Sequence, residues 1–328
     1  MTICHNIKKE VLKLTKQILV LVDYSQSYLD RIQALAQDYD LIQSLEEADL
    51  SQVEIVLGWD SDLEDVIAQG DHSIKWIQAK SAGVDYLPLD LLADQGIILT
   101  SASGMHAQAI TETVFAMILG YSRQVFQSRH YQAHKHWGQE DVDLFELKGK
   151  TLAVVGLGNI GQKVVDIAKA FGLQVVGVNQ SGTTDAPVDA IYPSDQMDSV
   201  LGQADIVVNI LPLTDQTRGL YNADRFQAFK DQSVFINVGR GPSVVTEDLV
   251  AALNERKIAF CGLDVFEEEP LPETSPLWEM DNVLITPHIA GEMADYNAHL
   301  FPIIEANLSS YINQQDVALN KIDYQKEY

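Results

Sequence analysis

Three ionisable side chains in the second half of the sequence each follow a predicted strand. Arg240, Glu269 and His288 each come shortly after a separate run of apolar residues. Ligands of open parallel sheets bind outside the carboxyl ends of the strands, so these three loops can converge. A histidine can deliver a proton near neutral pH, and a carboxylate on its other ring nitrogen fixes the tautomer. A guanidinium can hold a carboxylate and a carbonyl oxygen together. The set suits reduction of a carbonyl that lies beside a carboxylate.

A glycine-rich turn supplies a second chemical signal. Gly156, Gly158 and Gly161 form a G-x-G-x-x-G pattern directly after the apolar run Thr151–Val155 and open the helical run Gln162–Phe171. The first glycine permits a tight turn, the second lets backbone approach a pyrophosphate, and the third lets helix and strand pack closely. The motif alone also occurs in structural turns, but a strand before it and a helix after it predict a dinucleotide site.

The next strand predicts the type of dinucleotide. The position where a carboxylate would hold the adenosine ribose is Asn179, and the next acid is Asp185. Without that acid a 2′-phosphate is not repelled, and Ser181, Thr183 and Thr184 could donate hydrogen bonds to it. The loop has no Arg or Lys, so NADP is favoured over NAD only by the missing acid. NAD remains open.

Short apolar runs alternate with helical stretches along most of the chain. Continuous runs of Val, Ile and Leu are typical of parallel strands covered on both faces. The predicted fold class is therefore α/β, with two Rossmann-like, doubly wound parallel-sheet domains and a cleft between them. The predicted strands are Lys16–Asp23, Val53–Trp59, Ile74–Lys80, Ile97–Ser101, Thr151–Val155, Leu173–Val178, Asp205–Leu211, Ser233–Val238, Ala259–Val265 and Asn282–Thr286.

Domain limits follow from the placement of the glycine turn. We expect a dinucleotide-binding domain at residues 104–292, entered through a helix and the polar connector His134–Lys150. Residues 1–103 and 293–328 are expected to form a discontinuous, flavodoxin-like substrate domain. The predicted last helix, Ala294–Asn313, would fold back against the first part of the chain.

Charge and composition exclude several classes of protein. The chain has 22 Lys and Arg against 47 Asp and Glu, a net charge of −25, so nucleic acid and anionic membranes are poor partners. No apolar run is long enough for a transmembrane helix. The start, Met1–Gln17, lacks the apolar core of a secretory signal. Cys4 and Cys261 are too few for a disulfide framework. A cytoplasmic protein is expected.

Several pieces of the sequence together resemble a known family. They are SAGVD (Ser81–Asp85), GLGNIG, LPLT (Leu211–Thr214), NVGRG, LDVFEEEP and TPHIAG, in family order. The chain is similar to the D-isomer-specific 2-hydroxyacid dehydrogenases, which include glyoxylate/hydroxypyruvate reductases and glycerate and phosphoglycerate dehydrogenases. The resemblance implies hydride transfer between a nicotinamide cofactor and a small D-2-hydroxy or 2-oxo acid, such as glyoxylate or hydroxypyruvate.

The resemblance also implies roles for individual residues. Arg240, Glu269 and His288 would be catalytic, and the first and last of these would also touch substrate. Backbone amides of a loop would hold the substrate carboxylate, at Ser81, Ala82, Gly83 and Val84. Asp264 would lie beside the nicotinamide, although an aspartate ending a strand often caps the following turn. The cofactor contacts would be Gly156, Gly158, Asn159, Ile160, Gly161, Asn179, Gln180, Ser181, Leu211, Pro212, Thr217, Val238, Gly239, Asp264 and Gly291. A homodimer would form through a long helix at residues 107–131.

Two other functions compete with this interpretation. Formate oxidation occurs on a similar fold, but the histidine's partner in that group is typically Gln, whereas Glu269 stands here. A nicotinamide-sensing binding protein without catalysis would keep the same fold and gate a partner by cofactor occupancy. Turnover of 2-oxo acids separates these functions.

The remaining candidate residues receive mostly structural interpretations. His130, His134 and His136 form H-x-x-x-H-x-H, but without cysteines and in a polar connector, so no metal site is predicted. His106 begins the long helix and is either a ligand contact or an ordinary helix-start residue. Structural positions are expected for Trp59, Glu112 and Cys261.

Overall fold

The structure, a computed structural model, describes residues 15–325. Residues up to Ala102 together with those from Asn297 form one compact unit, and Ser103–Tyr296 form a second. We call these the first and second units. Cys4 and residues 1–14 of the basic leading segment lie outside the described residues.

The first unit contains a sheet of five parallel strands in the order β2-β1-β3-β4-β5. The strands are β1 (Lys16–Val20), β2 (Tyr39–Ile42), β3 (Val53–Leu57), β4 (Trp76–Gln78) and β5 (Ile98–Thr100), and the helices are α1 (Gln26–Leu35), α2 (Asp62–Gln69) and α3 (Leu89–Asp94). Sequence patterning missed β2, because this edge strand has only four residues and buries only its first side chain.

The second unit contains seven parallel strands in the order β12-β11-β10-β9-β6-β7-β8. The strands are β6 (Thr151–Val155), β7 (Gln174–Asn179), β8 (Ala190–Pro193), β9 (Ile206–Asn209), β10 (Ser233–Asn237), β11 (Ile258–Leu263) and β12 (Val283–Ile285). Sequence analysis missed β8, a half-buried edge strand that ends at a proline. Strand order reverses beside β6, which is where doubly wound sheets bind ligands.

Alternation of apolar side chains builds a core on each face of the larger sheet. Ala153 and Val155 point into one cluster, while Leu152 and Val154 point into the other. All four are fully buried. Burying a side chain of valine or leucine size stabilises a fold by about 1.5–3 kcal/mol, so helices on both faces are needed. They are α4 (Ala107–Ser122), α5 (Val125–Ala133), α6 (Asn159–Ala170), α7 (Met197–Leu201), α8 (Ala223–Ala228) and α9 (Thr246–Asn254).

The predicted single helix at residues 107–131 was wrong, because two helices occupy this stretch. The chain breaks at Gln124, whose φ of 55° lies in the left-handed region. After the break the Phe126 ring packs against Gly120, which has no Cβ to obstruct it. Tyr121 stacks on Phe260 with ring centroids 4.4 Å apart. These tertiary contacts favour the turn over continued helix.

The last helix, α10 (Tyr296–Gln314), packs within the first unit. Arg31 donates to both oxygens of Glu305, at 2.7 and 2.8 Å. Buried Asn307 donates to Gln78 on β4 at 2.9 Å. None of the helices in residues 15–325 has the length and apolar composition to cross a membrane.

Candidate active site

Three neighbouring strands of the second unit position the predicted catalytic residues. Strands β10, β11 and β12 lie side by side and parallel, with the last residues of each strand in register. Arg240, Glu269 and His288 all follow the carboxyl ends of these strands. The loops that carry them therefore leave the sheet at the same edge.

His288 and Glu269 form a direct pair. The Nδ1 atom of His288 lies 2.7 Å from Oε2 of Glu269, and the two side chains are 51% and 35% exposed. The other oxygen, Oε1, accepts a hydrogen bond from the backbone N–H of Phe266 at 2.8 Å. Because the carboxylate only accepts, Nδ1 carries the proton in this pair. Nε2 is then the ring nitrogen left for a reacting group.

The backbone at His288 is held in an uncommon conformation. Its φ of 54° lies in the left-handed region, which costs a residue with a Cβ about 1–2 kcal/mol. Asp264 offsets that cost. The carbonyl of Asp264 accepts the His288 N–H at 2.8 Å, and its carboxylate accepts from Thr286 Oγ1 at 2.6 Å and from the N–H groups of Ile289 and Ala290 at 2.9 and 3.0 Å. At 2% exposure, Asp264 is a buried anchor of the histidine loop.

The Arg240 loop rests on the segment that carries Glu269. Gly241 lies so close to the Phe266 carbonyl that a Cβ would clash. The N–H of the same Phe266 bonds Glu269, so one residue touches both loops. Arg240 Nη1 donates to the carbonyl of Gly239 at 2.8 Å. The backbone thus brings the guanidine-bearing and carboxylate-bearing loops into contact.

The glycine turn has the shape that the motif predicts. Gly156 has a φ of 103°, and a Cβ there would lie 3.1 Å from the backbone of Ile210. A Cβ at Gly161 would strike the carbonyl of Gly156, whereas one at Gly158 would meet nothing within 4 Å. Gly156 and Gly161 thus permit close packing, and Gly158 leaves an open face at the start of α6. Unpaired N–H groups at a helix start attract anions.

The loop after β7 is bonded to itself. Asn179 Nδ2 donates to the Thr183 carbonyl at 2.7 Å, and Asn179 Oδ1 accepts from Gly182 N–H at 2.7 Å. The hydroxyls of Ser181 and Thr183 lie 2.9 Å apart. Gln180 lies in the same turn and is exposed. The loop presents polar, uncharged groups at the end of its strand.

The other predicted cofactor contacts lie along the same edge of this sheet. Leu211 follows β9, and Gly239 packs against the Leu211 backbone. Thr217 Oγ1 donates to the Pro212 carbonyl at 2.7 Å. The remaining predicted contacts are placed at the start of α6 (Asn159 and Ile160), directly after β10 (Val238) and at the end of the histidine loop (Gly291).

His106, whose role the sequence left open, contacts the histidine loop. Its Nδ1 lies 2.9 Å from the Gly291 carbonyl. Its ring centroid is 5.7 Å from that of Tyr296. His106 therefore ties the start of α4 to the segment that follows His288.

The loop predicted to bind the substrate carboxylate, Ser81–Val84, belongs to the first unit and follows β4. Ser81 Oγ donates to the Gly83 carbonyl at 2.8 Å and lies 2.9 Å from the Tyr86 hydroxyl. The Ser81 carbonyl accepts the Ala102 N–H at 2.9 Å. Ala82 is half-buried and Val84 is buried. These bonds give the loop a defined shape.

Other candidates have mainly structural surroundings. His136 lies 2.6 Å from Asp141, while the tilted rings of His130 and His134 have centroids 4.4 Å apart. Within the part of the chain that the structure describes, no group of three or more His, Cys, Asp or Glu side chains could hold a metal. Burial raises the pKa of the Cys261 thiol well above its ordinary value. Structural contacts are also made by Trp59, packed on the core of the first unit, and Glu112, bonded to Gln108.

Comparison with known proteins identifies the family. The family model for the D-isomer specific 2-hydroxyacid dehydrogenase NAD-binding domain matches residues 115–290, which is more than half of the chain. The chain is 31% identical over 254 residues to a glyoxylate reductase of Aeropyrum pernix, covering 75% of this chain and 76% of that protein. It is 32% identical over 247 residues to glyoxylate/hydroxypyruvate reductase B of Escherichia fergusonii, covering 74% and 76%.

Solved structures agree with this result. A D-isomer specific 2-hydroxyacid dehydrogenase from Xanthobacter autotrophicus Py2, in complex with NADPH and MES, matches with a TM-score of 0.81 and 30% identity, covering 96% of this chain and all of that one. The predicted family and the predicted fold class of two parallel-sheet α/β domains are confirmed. The chain belongs to the D-isomer specific 2-hydroxyacid dehydrogenases, oxidoreductases that transfer hydride between a nicotinamide cofactor and a 2-hydroxy or 2-oxo acid.

Proposed function

We propose that this chain reduces small 2-oxo acids, such as glyoxylate and hydroxypyruvate, to D-2-hydroxy acids through Arg240, Glu269 and His288. The observation that carries the proposal is the 2.7 Å pair of His288 and Glu269. This pair lies on the strand edge that also bears Arg240. The names of relatives that act on glyoxylate and hydroxypyruvate support the substrate class.

The residues of the second unit suit a nicotinamide dinucleotide. The open face at Gly158 and the close packing at Gly156 and Gly161 leave backbone exposed at the start of α6. A pyrophosphate would be held there by N–H groups and the helix dipole. When bound, the cofactor supplies the hydride.

Either NADP or NAD is compatible with the loop after β7, and we propose NADP as the preferred form. The solved relative that holds NADPH supports this choice. The uncharged groups of Asn179, Ser181 and Thr183 would not repel a 2′-phosphate. The other proposed contacts are those given above for the edge of this sheet.

In the proposed reaction, His288 holds a proton at Nε2 and delivers it to the substrate carbonyl oxygen. Glu269 accepts a hydrogen bond from Nδ1–H, which fixes the orientation of the ring and directs Nε2 to the substrate. Asp264 anchors the loop that aims the ring. The carboxylate of Asp264 already accepts three hydrogen bonds from this loop, and a contact with the cofactor would be an additional interaction of the same carboxylate.

Arg240 is proposed to bind the substrate carboxylate and carbonyl oxygen with two N–H groups. This grip would orient the carbonyl and stabilise the negative charge that develops on its oxygen. Backbone amides of Ser81–Val84 are proposed to hold the carboxylate as well. The substrate domain would then be residues 1–103 with 293–328, and the dinucleotide domain residues 104–292.

We further propose a cytoplasmic homodimer that uses α4 and α5. Exposed apolar side chains support an interface there: Val125 and Phe126 lie on α5, and Trp137, which is 88% exposed, follows shortly after it. Sedimentation of the purified chain tests the dimer.

Turnover tests the function. The purified protein is mixed with NADPH or NADH and with glyoxylate, hydroxypyruvate, pyruvate or a branched 2-oxo acid, and absorbance of the reduced nicotinamide is followed. We expect oxidation with glyoxylate or hydroxypyruvate, at a kcat of about 10 s⁻¹. Cofactor binding without turnover of any substrate would instead favour a nicotinamide-sensing protein.

A further inference from the structure

A buried polar cluster lies beneath the Arg240 loop. It consists of Asn209 at the end of β9, Asn237 at the end of β10, and Ser243, and each is 0% exposed. Buried polar side chains of this kind are costly unless they are hydrogen-bonded. We call these three residues the amide cluster.

The members of the amide cluster bond one another. Asn209 Nδ2 donates to Asn237 Oδ1 at 2.9 Å and to Ser243 Oγ at 3.1 Å. Asn209 Oδ1 accepts from the hydroxyl of buried Tyr221 at 3.4 Å. The cluster therefore links two adjacent strands to the segment after Arg240.

The cluster converges on one backbone atom, the carbonyl oxygen of Arg240. That oxygen accepts from Ser243 Oγ at 2.6 Å, from Ser243 N–H at 3.2 Å and from Asn237 Nδ2 at 3.4 Å. Because Asn209 donates to the Ser243 hydroxyl, that hydroxyl is free to direct its own proton at Arg240. A hydroxyl that both accepts and donates has a fixed orientation.

We propose that Ser243, oriented by Asn209, is a positioning residue for Arg240. The hydroxyl fixes the peptide from which the guanidine side chain extends, so that the arginine can meet a 2-oxo acid without ordering the loop at each encounter. Preorganised donors act on a reacting group without the cost of reorganisation. The inference rests on the proposed function of Arg240.

Ser243→Ala tests the proposal, with Ser233→Ala as the matched control. Ser233 is also buried, at 1% exposure, but its hydroxyl has no hydrogen-bond partner among the described residues. For Ser243→Ala we expect KM for glyoxylate to rise about five- to tenfold, the worth of one hydrogen bond, with the Kd for cofactor changed less than about twofold. Ser233→Ala should leave both unchanged.

A double-mutant cycle separates positioning from general damage to the fold. In an Arg240→Ala background, Ser243→Ala should reduce kcat/KM no further, because its effect acts through the arginine. An equal reduction in both backgrounds would overturn the proposal. So would a wild-type KM in Ser243→Ala. Asn209→Ala, which leaves the hydroxyl but removes its orienting donor, should raise KM by a smaller factor than Ser243→Ala.

Hydrogen exchange gives a readout that does not depend on activity. The amides of Gly239, Arg240, Gly241 and residue 243 should exchange about tenfold faster in Ser243→Ala than in Ser233→Ala, because the segment loses an anchor. Equal exchange in the two variants would overturn the proposal. If the wild type turned over no 2-oxo acid, the proposed function would fail, while this comparison would still decide whether Ser243 holds the Arg240 segment.

Discussion

The two sheets of this protein use buried charge in different ways. In the second unit, buried Asp264 at a strand's carboxyl end accepts hydrogen bonds from the loop that carries His288. In the first unit, buried Glu54 lies inside β3 and accepts from Lys16 at 2.7 Å and from the hydroxyls of Tyr39 and Tyr311 at 3.1 Å. One carboxylate shapes a loop at a strand end, and the other joins strands and a helix. Similar residues thus hold a loop of the candidate active site in one unit and the core in the other.

The largest effect is expected at His288. Replacing His288 by Asn should lower kcat about 10²–10⁴-fold, the usual worth of general acid catalysis, with cofactor affinity little changed. His299, an exposed histidine of α10 in the first unit, is the matched control. Steady-state kinetics of the two variants measure the contrast. A His288→Asn enzyme with wild-type kcat would remove the proton-donor role.

Arg240→Lys should have the next largest effect. A point charge cannot replace the two-pronged grip of a guanidinium, so kcat/KM should fall about 10–100-fold through both kcat and KM. Arg225→Lys, which alters a surface pair with Asp198, should change kcat/KM less than about twofold. Equal kinetics for both arginine variants would contradict the assigned grip.

Glu54→Gln should change stability and leave kcat unaltered. Burial raises the pKa of Glu54, but the hydrogen bond and charge of Lys16, with Lys75 and Tyr311, outweigh it and lower the pKa below the ordinary 4.5. The ionised carboxylate therefore stabilises the folded protein above about pH 4.5. This contribution to the free energy of unfolding is lost as the pH falls through the lowered pKa of Glu54. We expect the variant to lose about 1–3 kcal/mol at pH 7.

Thermal unfolding at several pH values checks this prediction. The difference in Tm between wild type and Glu54→Gln should shrink as the pH drops below 4.5. Exposed Glu47→Gln is the control and should show little difference at any pH. A Tm difference that stays constant into acid would contradict the role of the ionised carboxylate.

The smallest effect concerns the choice of cofactor. With Asn179 in place of an acid at the ribose position, and no Arg or Lys in the loop after β7, kcat/KM should favour NADPH over NADH by less than about tenfold. Measuring both cofactors with one 2-oxo acid gives the ratio. A preference for NADH above tenfold would reverse the proposed choice.

Sequence reasoning predicted what repeats locally and missed what depends on tertiary contacts. Apolar runs and the glycine turn predicted most strands and the start of α6. Edge strands β2 and β8 escaped because they are short and half-buried. The break at Gln124 was missed because it depends on the packing of Phe126 against Gly120 and Phe260. These contacts form only in the folded protein, and Phe260 is distant in sequence.

The candidate site divides in the same way. Arg240, Glu269 and His288 stand out because each follows an apolar run within a recognisable motif. Asn209 and Ser243 carry no such signal. Asn209 ends β9 and Ser243 lies in the segment after β10, so the two come into contact only when these strands pair. The left-handed backbone of His288 likewise depends on Asp264, which no local preference for histidine predicts.

The most direct test is a crystal structure of the protein with NADPH and oxamate, a stable analogue of a 2-oxo acid. We expect the carbonyl oxygen of oxamate within about 2.6–3.2 Å of both Nε2 of His288 and the guanidinium of Arg240, with C4 of the nicotinamide facing the carbonyl carbon. Oxamate bound with its carbonyl away from His288, or cofactor bound away from the turn at Gly156, would contradict the account.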